Sequence, residues 1–284
     1  MRVMDKLRFY WMVAADDMVS RAQVDYEWFR SVVAALEPYV GSIKRKTILD
    51  VGCGRRYPLT LLLHNLGNEV VGADPRYVGI NTPFIVRWWK ALRADGLEAF
   101  GRAVIYTMAM KNRTYYGALR KLCDSPLNTD AIEIAHTDLT RLPFPDETFD
   151  IAVSVDFFEH MPNVSETVSE LKRVMKTGGV IYIHIHIFTG LSGGHQHDWD
   201  DTRKIPPWDH LRQEKHKAPV YLNRLRKDEL ISILKANFEI LEVKDYIREQ
   251  ARELLTPEIR AELSEYSEEE LLLRGPSIVA QKVK

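Results

Sequence analysis

Residues 47–74 read TILDVGCGRRYPLTLLLHNLGNEVVGAD. A short aliphatic strand (47–51) runs into two glycines, then an apolar helix, then a second aliphatic strand (69–74). Two strands joined by one helix over so short a distance pair in parallel, with a right-handed crossover, and parallel strands need helices on both faces. This stretch therefore predicts an α/β fold around an open sheet. Pro58 suits the first turn of the helix, where its missing N–H is not needed. The helix is expected to run through LTLLLHNL and stop at Gly67.

The glycines carry the first chemical hint. At the carboxyl end of a parallel strand, backbone amides and the following helix N-terminus make a crevice of positive character. Gly52 and Gly54 let a ligand approach that backbone without meeting a Cβ. Asp74 ends the next strand, where a carboxylate can accept two hydrogen bonds from a ribose diol. A dinucleotide-binding run would read G-x-G-x-x-G. Here the third glycine is absent and Arg56 stands near its place. The arginine either points away from the loop or, with Arg55, reaches an anionic group.

Elsewhere, the spacing of Tyr26, Phe29, Val32, Val33 and Leu36 predicts a helix ending near Pro38. Residues 76–130 show no strand signal and read as helices, the first capped by Thr82 with Pro83 behind it. Strands are expected at 131–136, 149–155, 179–188, 238–246 and 277–283. A helix is expected from Val164, capped by Asn163, with Lys172, Arg173 and Lys176 in its last turn and Gly178–Gly179 ending it. Another is expected around residues 228–238.

The bulk numbers exclude several classes. Basic and acidic residues nearly balance, at 39 and 40, so nothing global calls for nucleic acid. Two cysteines, Cys53 and Cys123, make neither a disulfide framework nor a zinc site, so a cytoplasmic setting is expected. No apolar run approaches the roughly 20 residues of a spanning helix.

DLTRLPFPDETFDIAVSVDFFEHM (138–161), the helix after it and MKTGGVIYIHI resemble the class I S-adenosylmethionine-dependent methyltransferases, in the small-molecule branch. The resemblance covers roughly residues 45–187, interrupted by the helical insertion. It implies a seven-stranded Rossmann-like sheet with helices on both faces and the last strand antiparallel. It implies S-adenosyl-L-methionine as cofactor, with Asp50 and the Gly52–Gly54 backbone toward its methionine part. Asp74 would hold the ribose, and Asp138 and Leu139 would sit at the adenine edge. Asp156, ending the fourth strand, would border methyl transfer. The expected organisation is one domain over 1–284, with an N-terminal helical cap (1–45), a helical insertion (76–130) and a second insertion (247–275).

The first insertion holds 9 basic and 4 acidic residues with interleaved aromatics such as Trp88 and Trp89. It reads as a lid over the acceptor, as a peripheral membrane contact, or simply as packing on the sheet. Residues 248–274 are opposite in sign, with 4 basic and 8 acidic.

Histidines gather near the carboxyl edge: His160, His184, His186, His195, His197 and His210. A metal needs three or more convergent ligands. The spacing alone shows no such convergence, so no metal is expected. The remaining reading is acid–base. His160, His195 or His197, with Asp156, border the transferred methyl, and one histidine acts as base if the acceptor is a hydroxyl. The leading function is transfer of a methyl group by in-line displacement to a small-molecule, lipid head-group or saccharide acceptor, at oxygen. A non-catalytic cofactor-fold binding protein and a nucleic-acid methyltransferase stay open as alternatives.

Overall fold

The computed structural model describes residues 17–75, 85–86, 88–89, 92–93, 96–97, 100–101, 104, 112–123, 126–129, 131–196, 199–212, 218 and 220–283. The chain divides near residues 143–152 into two compact units, the first also taking Phe149–Ile151. Seven strands form one sheet, and its order is β3-β2-β1-β4-β5-β7-β6. Their ranges are β1 Thr47–Val51, β2 Glu69–Asp74, β3 Glu133–His136, β4 Phe149–Val155, β5 Met175–His184, β6 Glu239–Ile247 and β7 Leu273–Gln281. The α/β class, the seven strands and the antiparallel last strand all hold.

In the first unit, helix α1 (Met18–Val40) starts at Asp17, whose carboxylate accepts from the Val19 amide at 2.9 Å and the Ser20 hydroxyl at 2.7 Å. Its buried stripe is Met18, Ala22, Asp25, Phe29, Val32 and Leu36, three or four residues apart. The helix passes the expected stop at Pro38 and ends at Gly41, φ +68. A proline in the last turn forfeits only one intrahelical amide bond, so it need not end the helix. β1 pairs in parallel with β2 (Leu49↔Val71), and β2 with β3 (Ala73↔Ala135). Helix α2 (Pro58–Asn65) links β1 and β2, with Pro58 at its start and Gly67, φ +88, just past its end.

Helix α3 (Asn112–Leu122) packs on α1. Tyr115 and Leu119 are fully buried, and the Tyr115 hydroxyl donates to Asp25 at 2.7 Å. Asp25 also pairs with Arg21 at 3.1 Å. Further back in the same insertion, the described residues between 85 and 104 are helical. Ile85, Val86, Trp89, Leu92 and Leu97 are exposed there, Trp89 by 56% and Leu97 by 80%. The expected cap at Thr82–Pro83 lies outside the described residues.

In the second unit, helix α4 (Val164–Val174) buries Val164, Val168, Leu171 and Val174. It ends a turn earlier than the glycines suggest. Met175 already belongs to β5, and Gly178, φ +80, lies inside that strand. The reason is tertiary. Gly178 N donates to Lys282 O at 2.8 Å and Lys282 N to Gly179 O at 2.9 Å, which extends the ladder with β7 back to Gly178. β7 lies between β5 and β6 and is antiparallel to both.

Two short helices come first, α5 (Asp209–Arg212) and α6 (Lys227–Lys235). The acidic stretch then forms a 3₁₀ turn (Glu249–Leu254) and helices α7 (Pro257–Glu262) and α8 (Glu268–Leu272). Their apolar faces enclose Trp208 with Leu255, Ile259, Leu263, Leu271 and Leu272. The Trp208 indole N–H donates to Leu271 O at 3.1 Å. The glutamates outside this core meet arginines: Glu268 contacts Arg252 and Arg260, and Glu262 takes both ends of Arg212. Among the described residues, no helix is long and apolar enough to cross a membrane.

Candidate active site

The loop after β1 is built by two left-handed glycines, Gly52 at φ +73 and Gly54 at φ +68. The amides of Gly52 and Cys53 both turn back onto Ala73 O, at 2.8 and 3.3 Å. That close approach requires Gly72 in β2. A Cβ there would lie 2.7 Å from Ile134 Cδ1, 2.9 Å from Cys53 Sγ and 3.0 Å from Thr60 Oγ1.

Two buried carboxylates frame the loop. Asp74 accepts from the Gly54 amide at 3.1 Å, and Asp50 accepts from the Thr60 hydroxyl at 2.6 Å. Burial pushes the Asp50 carboxyl up to about 7, against the opposing pull of the Thr60 hydrogen bonds.

Among the described residues, a Cβ on Gly54 would find no atom nearer than Gly52 O at 4.0 Å, so none of them fills the space beside it. An open backbone with a carboxylate at its edge fits a cofactor that carries an ammonium and a diol. Asp138 is exposed, and its Oδ1 accepts from both the amide and the hydroxyl of Thr140 at 2.9 Å, while Leu139 beside it is buried.

Arg56 turns away from this loop. Its guanidinium sits over the Tyr115 ring, 5.3 Å from the centroid, and its Nη2 lies 3.3 Å from Met18 Sδ. Its carbonyl accepts the Tyr116 hydroxyl at 3.2 Å. Of the two roles the sequence allowed, the structure shows an arginine that ties the glycine loop to α1 and α3.

The second unit holds the histidines. After β4 the chain passes through Asp156, at φ +51, into a 3₁₀ turn, Phe158–His160. His160 Nδ1 lies 3.0 Å from Tyr221 O. A carbonyl can only accept, so Nδ1 carries the proton and, in the neutral ring, Nε2 carries the lone pair. His195, also left-handed at φ +53, lies edge-on to the His160 ring at 4.9 Å and tilted against His186 at 4.7 Å. His186 Nε2 is 2.7 Å from Ser192 Oγ, which also accepts from Arg248 at 3.2 Å.

The loop carrying these groups is pinned by glycines. A Cβ on Gly190 would lie 2.2 Å from Leu273 O, and one on Gly193 would lie 2.2 Å from Phe188 O. Burial, helped by neighbouring cations and imidazoles, lowers His186 to about 3 and His195 to about 2. Both rings are therefore neutral at ordinary pH.

The structure thus brings His160, His186 and His195 together and sets Glu159 among them. Glu159 is buried, with His160 Nε2 3.9 Å from its Oε1. Burial, with Asp156 nearby, pushes its carboxyl well above the usual range. Sequence reasoning missed it. The available signal was an acidic residue inside the apolar run FFEHM.

His184 belongs to a different group. Its Nε2 is 3.4 Å from Asp156 Oδ1 and its Nδ1 is 3.2 Å from Ser277 Oγ. His210 lies 2.8 Å from Phe188 O, and Gly194 packs on its ring. His197 lies outside the described residues.

A family model described as a methyltransferase domain matches residues 89–183. An uncharacterized methyltransferase of Mycobacterium tuberculosis is 36% identical over 192 residues, which cover 68% of this chain and 56% of that protein. A sterol 24-C-methyltransferase of Gibberella zeae is 24% identical over 169 residues, or 58% of this chain and 35% of that one. Among solved structures, an S-adenosylmethionine-dependent methyltransferase from Mesorhizobium loti is 15% identical, with a TM-score of 0.49 over 88% of this chain and 96% of that one. The chain spans little more than half the length of the Mycobacterium relative and about a third of the sterol enzyme. The matched domain and the two curated relatives make the chain similar to methyltransferases. Its seven-stranded sheet with an antiparallel last strand and its glycine loop agree with the fold expected of the class I S-adenosylmethionine-dependent methyltransferases.

Proposed function

We propose that the chain transfers a methyl group from S-adenosylmethionine to an oxygen of a small-molecule, lipid head-group or saccharide acceptor, by in-line displacement. The observation that carries the methyltransferase reading is the open glycine loop with Asp74 bonded at its edge. When bound, the cofactor supplies an electrophilic methyl. The protein's own work is to hold the partners and exclude water. Asp50, Gly52, Gly54 and Asp74 bind the cofactor, with Asp138 and Leu139 at its adenine edge.

An oxygen acceptor is favoured by the cluster of Glu159, His160 and His195. A hydroxyl must lose its proton to react, and these are groups that can promote that loss. A nitrogen or carbon acceptor needs less of such help. Some relatives are named for sterol and for phthiotriol dimycocerosate methylation. A lipid-bearing acceptor also suits the exposed apolar residues among the arginines and lysines of the 76–130 insertion. The same surface suits a peripheral contact with an anionic membrane.

The test begins with the cofactor. S-adenosylhomocysteine is expected to bind in calorimetry, and Asp74→Ala is expected to weaken it by about 1–3 kcal/mol, the worth of hydrogen bonds to a charged group. A wild-type protein that gives neither heat nor thermal shift at millimolar ligand ends this reading and leaves a binding protein in its place.

A second expectation concerns Trp89, which is largely exposed and lies against Arg93 at 4.4 Å. Replacing it by alanine should change stability by less than about 0.5 kcal/mol, as at most surface positions. It should leave cofactor affinity alone while lowering turnover of the acceptor severalfold. Unchanged turnover would remove the insertion from acceptor binding.

A further inference from the structure

We infer that Glu159, His160 and His195 form a binding site for one divalent first-row transition cation, of the zinc, manganese or iron class. This deepens the proposed methyl transfer to oxygen and rests on it for its purpose, but not for its evidence.

One carboxylate oxygen and one nitrogen from each ring lie within 4.8 Å of one another. His160 Nε2 and Glu159 Oε1 are already 3.9 Å apart. Ligands around an ion with bonds of about 2.0–2.2 Å sit roughly 3.0–3.5 Å from each other. Closing the site therefore takes shifts of about 1 Å.

Three independent features point to a ligand here. Glu159 is 3% exposed, and among the described residues neither carboxylate oxygen has a hydrogen-bond partner. The amides of Glu159 itself and of His186 lie near enough to favour its charge, yet not in bonding geometry. A buried, unpaired carboxylate costs several kcal/mol, which a bound cation removes. His195 Nε2 is likewise buried with no partner among the described residues. Finally, His160 presents the lone pair of Nε2 because a backbone carbonyl holds Nδ1, the arrangement that orients metal-bound imidazoles.

Two imidazoles and one carboxylate form a set that leaves coordination positions open. An acceptor hydroxyl bound there would have its acidity raised.

The experiment uses tag-free protein stripped with chelator and titrated with Co²⁺ and, in competition, with Zn²⁺. Bound metal is counted by elemental analysis after dialysis. One equivalent should bind, and Co²⁺ should give a visible absorption band. Glu159→Gln, which keeps the shape, and His195→Ala should each weaken binding by about 100-fold or more, above the loss typical of outer-shell partners.

S-adenosylhomocysteine binding and circular dichroism on the same samples report folding and the cofactor reading separately. Intact cofactor binding with no cobalt band overturns the cation site alone. So does metal binding that Glu159→Gln leaves unchanged. Loss of cofactor binding in the wild type sinks the methyltransferase reading, whatever the metal does.

Discussion

Gly275→Ala is expected to lower the melting temperature by roughly 6–12 °C, or to leave the protein insoluble. Gly275 lies in β7 opposite Tyr246 of β6. A Cβ there would fall 1.9 Å from Ile185 O and 3.0 Å from Ile185 C, so it would meet backbone and not a side chain that can swing aside. The chain after β5 stays bonded to β7 at this point, through Ile185 N to Pro276 O and Ile187 N to Arg274 O. Accepting the methyl means opening both bonds.

Overpacking of this kind costs about 3 kcal/mol when nothing can relax, and for a chain of this size each kcal/mol is about 2–4 °C. Gly117 in α3 is the internal control. No described residue comes within 4 Å of a Cβ there, and alanine in a helix interior should stabilise by about 0.5–1 kcal/mol. A Gly275→Ala protein melting within 2 °C of wild type would refute the close packing.

Acid should unfold the protein unusually early. His184, His186 and His195 are held at about 3, 3 and 2, chiefly by burial. In the unfolded chain each titrates near 6.5. As pH falls through that value, only the unfolded state takes up protons, so stability falls by roughly 1.4 kcal/mol per pH unit for each histidine.

Asp50, held at about 7, and Glu159, also raised, work in the opposite direction. They keep protons in the folded state that the unfolded chain releases above about 4. Three groups against two leaves a net loss of roughly 1.4 kcal/mol per unit between about pH 6 and 4.5. Below about 4 the carboxyls are protonated in both states, and the histidines act unopposed until their folded values near 3 are reached. Urea titrations at pH 7, 6, 5 and 4 in chelator read this directly. Stability that stays level or rises toward pH 4 would contradict it, and His184→Asn should flatten the slope by about one histidine's share.

Where the fold was legible, one local rule and the tertiary structure agreed. The β1–glycine–α2–β2 run needs its glycines for backbone, Pro58 for a start and Gly67 for a stop, and all four positions do what their chemistry suggests. The start of β5 was illegible, because MKTGG is held through distant partners: Gly178 accepts from Gln281 103 residues on, and Thr177 donates to Glu147 30 residues back. The destination of Arg56 was equally hidden, since Tyr115 comes from the insertion and Met18 from the other side of β1.

For the candidate site, spacing named His160 and His195 but not their meeting. Alternation along a strand says which residues share a face, but not where a loop returns. Glu159 escaped for a related reason: an acid next to a turn usually means solvent, and only packing reveals that this one is buried.

The placement of β7 between β5 and β6 sets the order in which this half of the protein can be made. Tyr182 of β5 bonds to Ser277 of β7 across 95 residues of chain. At a ribosome, the apolar run VIYIHIHI emerges long before the strand that will pair with it. For several seconds, at about 5–20 residues per second, it presents an open edge. β6 emerges sooner but is not its neighbour in the finished sheet. Newly made β5 is thus the stretch of this chain most exposed to the wrong partner. Chaperone dependence and inclusion-body formation should track the rate at which residues 185–281 are translated, more than the stability of the finished fold.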